Sequence, residues 1–95
     1  MSEAEILTAV KSALGITGEY LDGALRMYIN EATQYLLDAG VSPSVVSSSA
    51  SLGVITRGVA DLWNYGSSEG KLSEYFYQRA TQLIYKSAAE VGANE

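Results

Sequence analysis

The sequence predicts an all-α fold, a small antiparallel bundle of four helices with a serine-rich loop between the second helix and the third. Apolar residues recur at helical spacing in four separate segments, which is the pattern of amphipathic helices. No alternation of apolar and polar residues lies between turn signals, so we expect no strand. The only proline, Pro43, falls between the second and third helical segments.

The first helix is predicted from a start signal and a stop signal. Ser2 precedes Glu5 by the spacing of a capping box, and Glu3 adds negative charge where the helix dipole favours it. The apolar stripe that follows consists of Ile6, Leu7, Val10 and Leu14. Gly15 comes directly after this stripe and predicts the end of the helix.

The second helix has the clearest helical pattern in the sequence. Thr17 is its predicted N-cap, and Gly40 is predicted to end it. Its core-facing stripe consists of Leu21, Leu25, Ile29, Ala32 and Leu36. Tyr28 and Tyr35 flank this stripe, so we expect both tyrosines to lie in the core or at its edge.

Residues 41–51 interrupt the helical pattern with one proline and six serines. This composition favours turns, or one short capped helical turn, over longer regular structure. Two interpretations follow from it. The segment is either a simple connector or a loop that becomes ordered against a partner, with Val45 and Val46 as its apolar anchors.

The third helix is predicted to have one apolar face and two internal glycines. The face consists of Leu52, Ile55, Val59, Leu62 and Trp63. Gly53 and Gly58 each cost about 1 kcal/mol relative to alanine in a helix, so we expect a neighbouring helix to pack closely against them. We also expect Trp63 to be substantially buried, and residues 66–70 to form an exposed turn.

The last helix, predicted from about Lys71 to Val91, carries more apolar surface than one core face needs. Its inner stripe consists of Leu72, Phe76, Ala80, Leu83 and Ser87. A second line, which we call the outer line, consists of Tyr77, Ile84 and Ala88 with Tyr85 beside it. Because the inner stripe already fills the side that faces the core, we predict that the outer line lies between subunits or between different proteins.

Two further observations concern the predicted interface on the last helix. Tyrosine combines a large contact area with a polar tip, which suits a protein–protein interface, so Tyr77 and Tyr85 are its main candidates. Arg79 lies at the edge of the inner stripe. It can be read as a surface arginine or as part of an ion pair between subunits.

Length, charge and composition exclude several classes of protein. At 95 residues the chain is short for two domains, so we read residues 1–95 as one domain. Hydrophobic residues make up 47% of the sequence, which excludes a disordered chain. A net charge of −5 repels phosphate backbones, and the six basic residues are spread along the chain. We therefore expect no basic patch for nucleic acid.

The sequence supplies no chemistry typical of a metal, cofactor or catalytic site. It contains no cysteine and no histidine, which removes disulfides, thiolate chemistry and imidazole ligands. Its paired carboxylates lie at helix starts, where the helix dipole explains them, and its glycines form no phosphate loop. We expect no cofactor and no enzyme activity. No apolar run is long enough for a membrane span and no signal peptide is apparent, so we expect a soluble cytoplasmic protein that does not bind membranes.

Three stretches of the sequence carry a resemblance to a known family. They are a first helix ending in VKSALGI, a second helix that starts TGEYLD and continues LRMYINEATQYLLDAGV, and the third-helix run GVITRGVADLWNYG. From about Ile6 to Tyr85, this pattern of helix lengths and apolar spacing resembles the head–tail connector (adaptor or head-completion) proteins of tailed phages and prophages.

The resemblance implies a small structural protein of the virion neck, made in the cytoplasm of the bacterial host. Its copies are expected to form a ring under the capsid portal, so the implied partners are the portal protein, a stopper or tail-completion protein and further copies of the chain. DNA is expected to pass through the ring without specific binding, which suits an acidic chain. No catalytic residue is implied. The alternative class is an acidic helical inhibitor or antidote that binds one protein partner.

Overall fold

A computed structural model of the chain describes residues 1–69 and 72–93, with side chains described for residues 1–64 and 72–89. The helices are α1 (Glu3–Leu14), α2 (Asp22–Asp38), α3 (Pro43–Val46), α4 (Leu52–Glu69) and α5 (Glu74–Ala93), and a 3-10 turn (Ser49–Ser51) precedes α4. No strand occurs in the residues just given. The prediction of an all-α fold is therefore confirmed, with four long helices and a single-turn helix in the serine-rich segment.

The predicted capping box at the start of α1 is present. The Ser2 hydroxyl accepts the Glu5 N–H at 3.1 Å, and the Ser2 N–H donates to the Glu5 carboxylate at 3.2 Å. These hydrogen bonds, chiefly the one from the Ser2 backbone N–H, lower the pKa of Glu5 because they favour its charged form. Gly15 ends the helix with a φ of +70°, as its place in the sequence predicts.

The predicted N-cap of the second helix is wrong. The helix begins at Asp22, with Leu21 at the N-cap position, and no side chain caps it. Gly18 has a φ of +76°, which is incompatible with helix, so the chain cannot continue as helix from Thr17. The Lys11 ammonium instead holds this turn against α1 by donating to the Gly18 carbonyl and to the Asp22 carboxylate.

The serine-rich segment is ordered against its own chain. Gly40 precedes it with a φ of +108° and ends α2, as predicted. The Ser42 hydroxyl then caps α3, and the Ser48 hydroxyl caps the 3-10 turn. Ser51 is buried and donates from its hydroxyl to the Val46 carbonyl. These local hydrogen bonds explain why so many serines occur here. Their hydroxyls bond to backbone groups that the regular hydrogen bonds of a longer helix would otherwise satisfy.

Helix α4 lies at the centre of the fold, where it packs against α1, α2, α5 and the 3-10 turn. The buried side chains of the core include Val10 of α1, Leu25, Ile29, Ala32 and Leu36 of α2, Ile55 and Val59 of α4, and Phe76, Ala80 and Leu83 of α5. These residues belong to the predicted inner stripes, which confirms the core-facing side of each long helix. Trp63 is only partly buried, and its ring meets Tyr28 edge to face at 6.3 Å.

Close packing at an internal glycine of α4 is confirmed at one position and wrong at the other. A Cβ atom at Gly58 would lie 2.7 Å from the Phe76 ring and 3.1 Å from the Ala32 Cβ. Helices α2, α4 and α5 therefore meet at Gly58. At Gly53, apart from the neighbouring residues and the backbone of its own helix, no described atom lies within 4 Å of the corresponding position.

The boundaries of α4 and α5 differ from their predictions. Helix α4 continues to Glu69, so the expected turn is wrong for residues 66–69, and Gly70 lies outside the described residues. Helix α5 begins at Glu74, a few residues later than predicted. The start is fixed by Ser73, whose hydroxyl accepts the Phe76 N–H at 3.2 Å.

Gly58→Ala should destabilise the fold by about 1–3 kcal/mol, because its new methyl group would collide with the Phe76 ring and Ala32. Gly53→Ala is the matched control in the same helix. It should stabilise the fold by up to about 1 kcal/mol, since alanine favours helix and meets open space there. Urea denaturation followed by circular dichroism measures both. Equal effects of the two substitutions would contradict the close approach of the three helices at Gly58.

Candidate functional site

The outer line of α5 reaches the surface to differing degrees. Tyr85 is 71% exposed, Tyr77 is 40% exposed and Ala88 is exposed, whereas Ile84 is partly buried against the core. Arg79 is partly buried at the side of the helix and donates to the Gln82 side chain. The structure thus places Tyr85 and Ala88 where another protein can reach them. Their contact with such a protein stays a prediction.

An aromatic cluster connects the end of α2 to the first turns of α5. The Tyr35 ring lies 5.4 Å from the ring of Phe76 and 5.4 Å from that of Tyr77, measured between centroids. Burial raises the pKa of the Tyr35 phenol, and the neighbouring Tyr77 raises it further. Sequence analysis placed Tyr35 at the core edge but did not join it to Tyr77, because the two residues are far apart in the chain.

A buried carboxylate at the junction of α4 and α5 was missed by sequence analysis. Asp61 is 2% exposed; one of its oxygens lies 3.2 Å from Arg57 Nε, and the other accepts the Ser73 N–H at 2.9 Å. The Arg57 guanidinium also lies 5.4 Å from the centroid of the Tyr75 ring. Asp61 therefore fixes the start of α5 on α4. The sequence did contain a signal for this contact, namely an aspartate within an apolar helical face, four residues after an arginine.

Asp61→Ala should destabilise the fold by about 2 kcal/mol, because the Ser73 N–H and Arg57 lose their partner. Asp61→Asn is the control, since its amide oxygen can still accept from Ser73 although the ion pair is lost. It should cost roughly half as much. Thermal and urea denaturation of the two variants and the parent give the comparison. If the Asp61→Ala variant is as stable as the parent, α5 is positioned by its apolar contacts alone.

The two valines of the serine-rich segment already have contacts in the chain's own core. Val45 is 1% exposed and Val46 is 6% exposed. The Ser42 N–H also donates to the Ser87 hydroxyl of α5 at 2.9 Å, which ties the segment to the last helix. For the valines to anchor the segment on a partner, α3 would have to leave this core. Burial in the monomer explains both side chains without a partner.

A second surface of interest is a shallow groove of about 620 Å³ between α1 and the start of α4. It is lined by Met1, Ala4, Glu5, Thr8, Ala9, Ser12, Ser49 and Leu52. We call it the α1–α4 groove. The small side chains on the outward side of α1 leave the groove open, and its lining carries two charged groups, the Glu5 carboxylate and the Met1 α-ammonium, which donates to the Ser47 carbonyl at 2.7 Å. Sequence analysis missed the groove because small residues on one helix have no diagnostic pattern.

Among the five basic residues whose side chains are described, three form ion pairs within the chain. Lys11 pairs with Asp22 at 2.8 Å, Arg57 with Asp61 at 3.2 Å, and Arg26 with Glu3 at 3.5 Å. Among the described side chains, the basic residues with no ion pair are Arg79 and Lys86, and both belong to α5. Of these two residues, Arg79 is partly buried and donates to the Gln82 side chain, whereas Lys86 lies at an exposed position.

Two further features of the described structure concern metal sites and membrane spans. Within residues 1–64 and 72–89, no three acidic side chains come together as a set of metal ligands. None of the helices, as far as they are described, combines the length and the apolar character that crossing a membrane requires. The two surfaces described above, the exposed face of α5 and the α1–α4 groove, are the candidate functional surfaces.

Comparison with known proteins gives one match. A family model described as "Phage connector protein" matches residues 6–88, from the start of α1 into the last turns of α5. No curated protein and no solved structure matches the chain significantly. The matched range agrees with the stretch from Ile6 to Tyr85 that carries the resemblance seen in the sequence.

Proposed function

The chain belongs to the phage connector protein family, and from this premise we propose that its copies form a ring in the virion neck. This ring joins the capsid portal to the tail or to the next ring of the neck, so the partners are the portal protein, a stopper or tail-completion protein and further copies of the chain. The role is structural, and we assign no catalytic step to it. The family match over residues 6–88 is the observation that carries the proposal.

The exposed side chains of α5 support this role, because a ring needs surface that remains free after the subunit has folded. Tyr85 is 71% exposed although it is a large aromatic residue. A tyrosine in this position can bury most of its ring against a neighbour while its hydroxyl finds a polar partner. We assign the contacts of the ring to Tyr85, Ala88 and the exposed part of Tyr77.

The charge of the chain supports passage of DNA through the ring. The sequence has eleven acidic residues and six basic ones, and three of the five basic residues with described side chains are paired with carboxylates of the same chain. The acidic surface of such a ring attracts few phosphates, so DNA can move past it without being bound. The ring thus transmits DNA without recognising a sequence.

Disruption of the coding sequence in a phage or prophage that carries this protein should leave heads and tails unjoined. Electron microscopy of the lysate should show separate heads and tails, because the ring between them is missing. The infectious titre should fall to background and should return when the parent protein is supplied in trans. Joined, infectious particles that form without the chain would overturn the proposed function.

Tyr85→Glu combined with Ala88→Glu should weaken assembly and leave the fold intact. Both side chains are exposed in the subunit, so the new charges are costly only where a neighbour removes water from them. We expect the dissociation constant of assembly to rise about tenfold or more, which corresponds to about 1.4 kcal/mol, measured by light scattering with circular dichroism as the folding check.

Tyr20→Glu is the matched control for this pair, because Tyr20 is 96% exposed and lies outside both candidate surfaces. It should assemble like the parent and rescue particles like the parent. If the Tyr85 and Ala88 variant does the same, the exposed face of α5 is not a contact of the ring.

A further inference from the structure

We propose that the side of α5 that adjoins α4 binds an acidic segment of a different protein, with a carboxylate of that segment on Arg57. We call this side the α4–α5 surface; its residues are Arg57, Tyr75, Arg79, Gln82 and Lys86. The inference rests on the proposed function, because it gives a neighbouring protein of the virion neck a surface that the contacts between copies leave uncovered.

Helix α5 has two sides that meet different helices. On one side, the Tyr77 ring lies 5.4 Å from the Tyr35 ring of α2. On the other side, the centroid of the Tyr75 ring lies 5.4 Å from the guanidinium carbon of Arg57 in α4. The residues that continue this second side at helical spacing are Arg79, Gln82 and Lys86. A copy that binds on the side of Tyr77, as proposed for the ring, therefore leaves the α4–α5 surface open.

The Arg57 guanidinium is held in place by two contacts within the chain. Its Nε lies 3.2 Å from the buried Asp61 carboxylate, and its carbon lies over the Tyr75 ring. The terminal amino groups of Arg57 have no hydrogen-bond partner among the described residues, and its side chain is 49% exposed. Because these contacts already restrict the side chain, a ligand that binds to the amino groups causes little further loss of conformational entropy.

This arrangement fits a carboxylate. A guanidinium is planar and presents its N–H groups as a fork that matches the two oxygens of a carboxylate. Tyr75 is 53% exposed and offers its ring to the apolar part of an aspartate or glutamate side chain. Arginine and tyrosine are also among the residues that contribute most of the binding energy in protein interfaces.

The net positive charge of the surface comes from α5. Asp61 offsets the charge of Arg57, so Arg57 contributes mainly its geometry. Arg79 and Lys86 form no ion pair among the described residues, and they lie about one turn and about three turns beyond Tyr75. Arg79 is partly buried, whereas Lys86 is exposed. A partner segment with several carboxylates along its length therefore fits better than a single acidic residue.

The carboxylates of a protein fit this surface better than the phosphates of nucleic acid. Nucleic acid carries negative charge at every step of its backbone and would bring it against a chain whose net charge is −5. A protein segment can place its carboxylates on the α4–α5 surface and neutral side chains elsewhere. The partner is therefore an acidic segment of a protein.

Nuclear magnetic resonance tests this binding, because it detects weak complexes and locates them on the chain. The probe is a hexaglutamate peptide with blocked ends, added to the isotope-labelled protein. The resonance of the Arg57 Nε–H group and the signals of Tyr75, Arg79 and Lys86 should shift with increasing peptide. A hexaglutamine peptide of the same length should cause no shift, and a single-stranded hexathymidylate should cause less than the hexaglutamate.

Arg57→Lys separates the geometry of the guanidinium from its charge. Lysine can still pair with Asp61, so circular dichroism should show an intact fold, but the planar fork is lost. The dissociation constant of hexaglutamate should rise about fivefold or more. Arg26→Lys is the matched control, because Arg26 is exposed to a similar degree, 51%, and is also paired with a carboxylate, but lies on α2. It should bind the peptide like the parent.

Four results would overturn the proposal. They are no shift with hexaglutamate, shifts centred outside the α4–α5 surface, equal binding by the Arg57→Lys variant and the parent, and hexathymidylate binding at this surface as tightly as hexaglutamate. The last result would identify a site for nucleic acid instead of an acidic protein segment.

The proposed function is judged separately in the phage. Arg57→Lys combined with Lys86→Gln should leave the assembly of copies unchanged in light scattering and should reduce the number of joined particles. Joined particles at the parent titre from this variant would reject the α4–α5 surface as a binding site and leave the connector role intact. That role itself fails only if particles join without the chain.

Discussion

The position of α5 depends on one close contact, in which the Phe76 ring lies against the backbone of α4 at Gly58. A Cβ atom at Gly58 would approach this ring to 2.7 Å and the Ala32 Cβ to 3.1 Å, so only glycine lets α2, α4 and α5 meet at this distance. Phe76 is fully buried there, and Tyr35 covers it from α2 at 5.4 Å. A glycine that weakens an isolated helix by about 1 kcal/mol is thus retained because it admits the largest fully buried side chain of the core.

Two polar contacts fix the same helix on either side of Phe76. At its start, Asp61 of α4 accepts the Ser73 N–H at 2.9 Å, and near its end the Ser87 hydroxyl accepts the Ser42 N–H at 2.9 Å. Apolar packing leaves a helix some freedom to rotate about its axis, whereas directional hydrogen bonds at two separate points remove it. The rotation of α5 decides which of its side chains face solvent, so these contacts are the reason why Tyr85 is exposed.

The parts of this fold that sequence predicts are those that local spacing determines. The inner stripes and the stop at Gly15 depend on residues within a few turns of one another, and they are confirmed. The contacts that position α5 join distant residues, so the role of Asp61 and the Tyr35–Tyr77 pair had no local signature. The predicted N-cap at Thr17 is wrong for a different reason. A threonine before a helical pattern is a common cap, but a left-handed Gly18 follows it and breaks the helix.

For the proposed assembly, this small acidic chain faces two opposing requirements. Its core is limited by its length, so association with neighbours adds to the stability of the folded state, yet a charge of −5 per copy opposes that association. The basic residues whose ion pairs are described act inside the subunit. Lys11 and Arg26 join α1 to α2, and Arg57 pairs with the buried Asp61 of α4. These pairs stabilise the fold of each copy, so the contacts of the proposed ring rest on exposed aromatic and apolar side chains such as Tyr85 rather than on a basic patch.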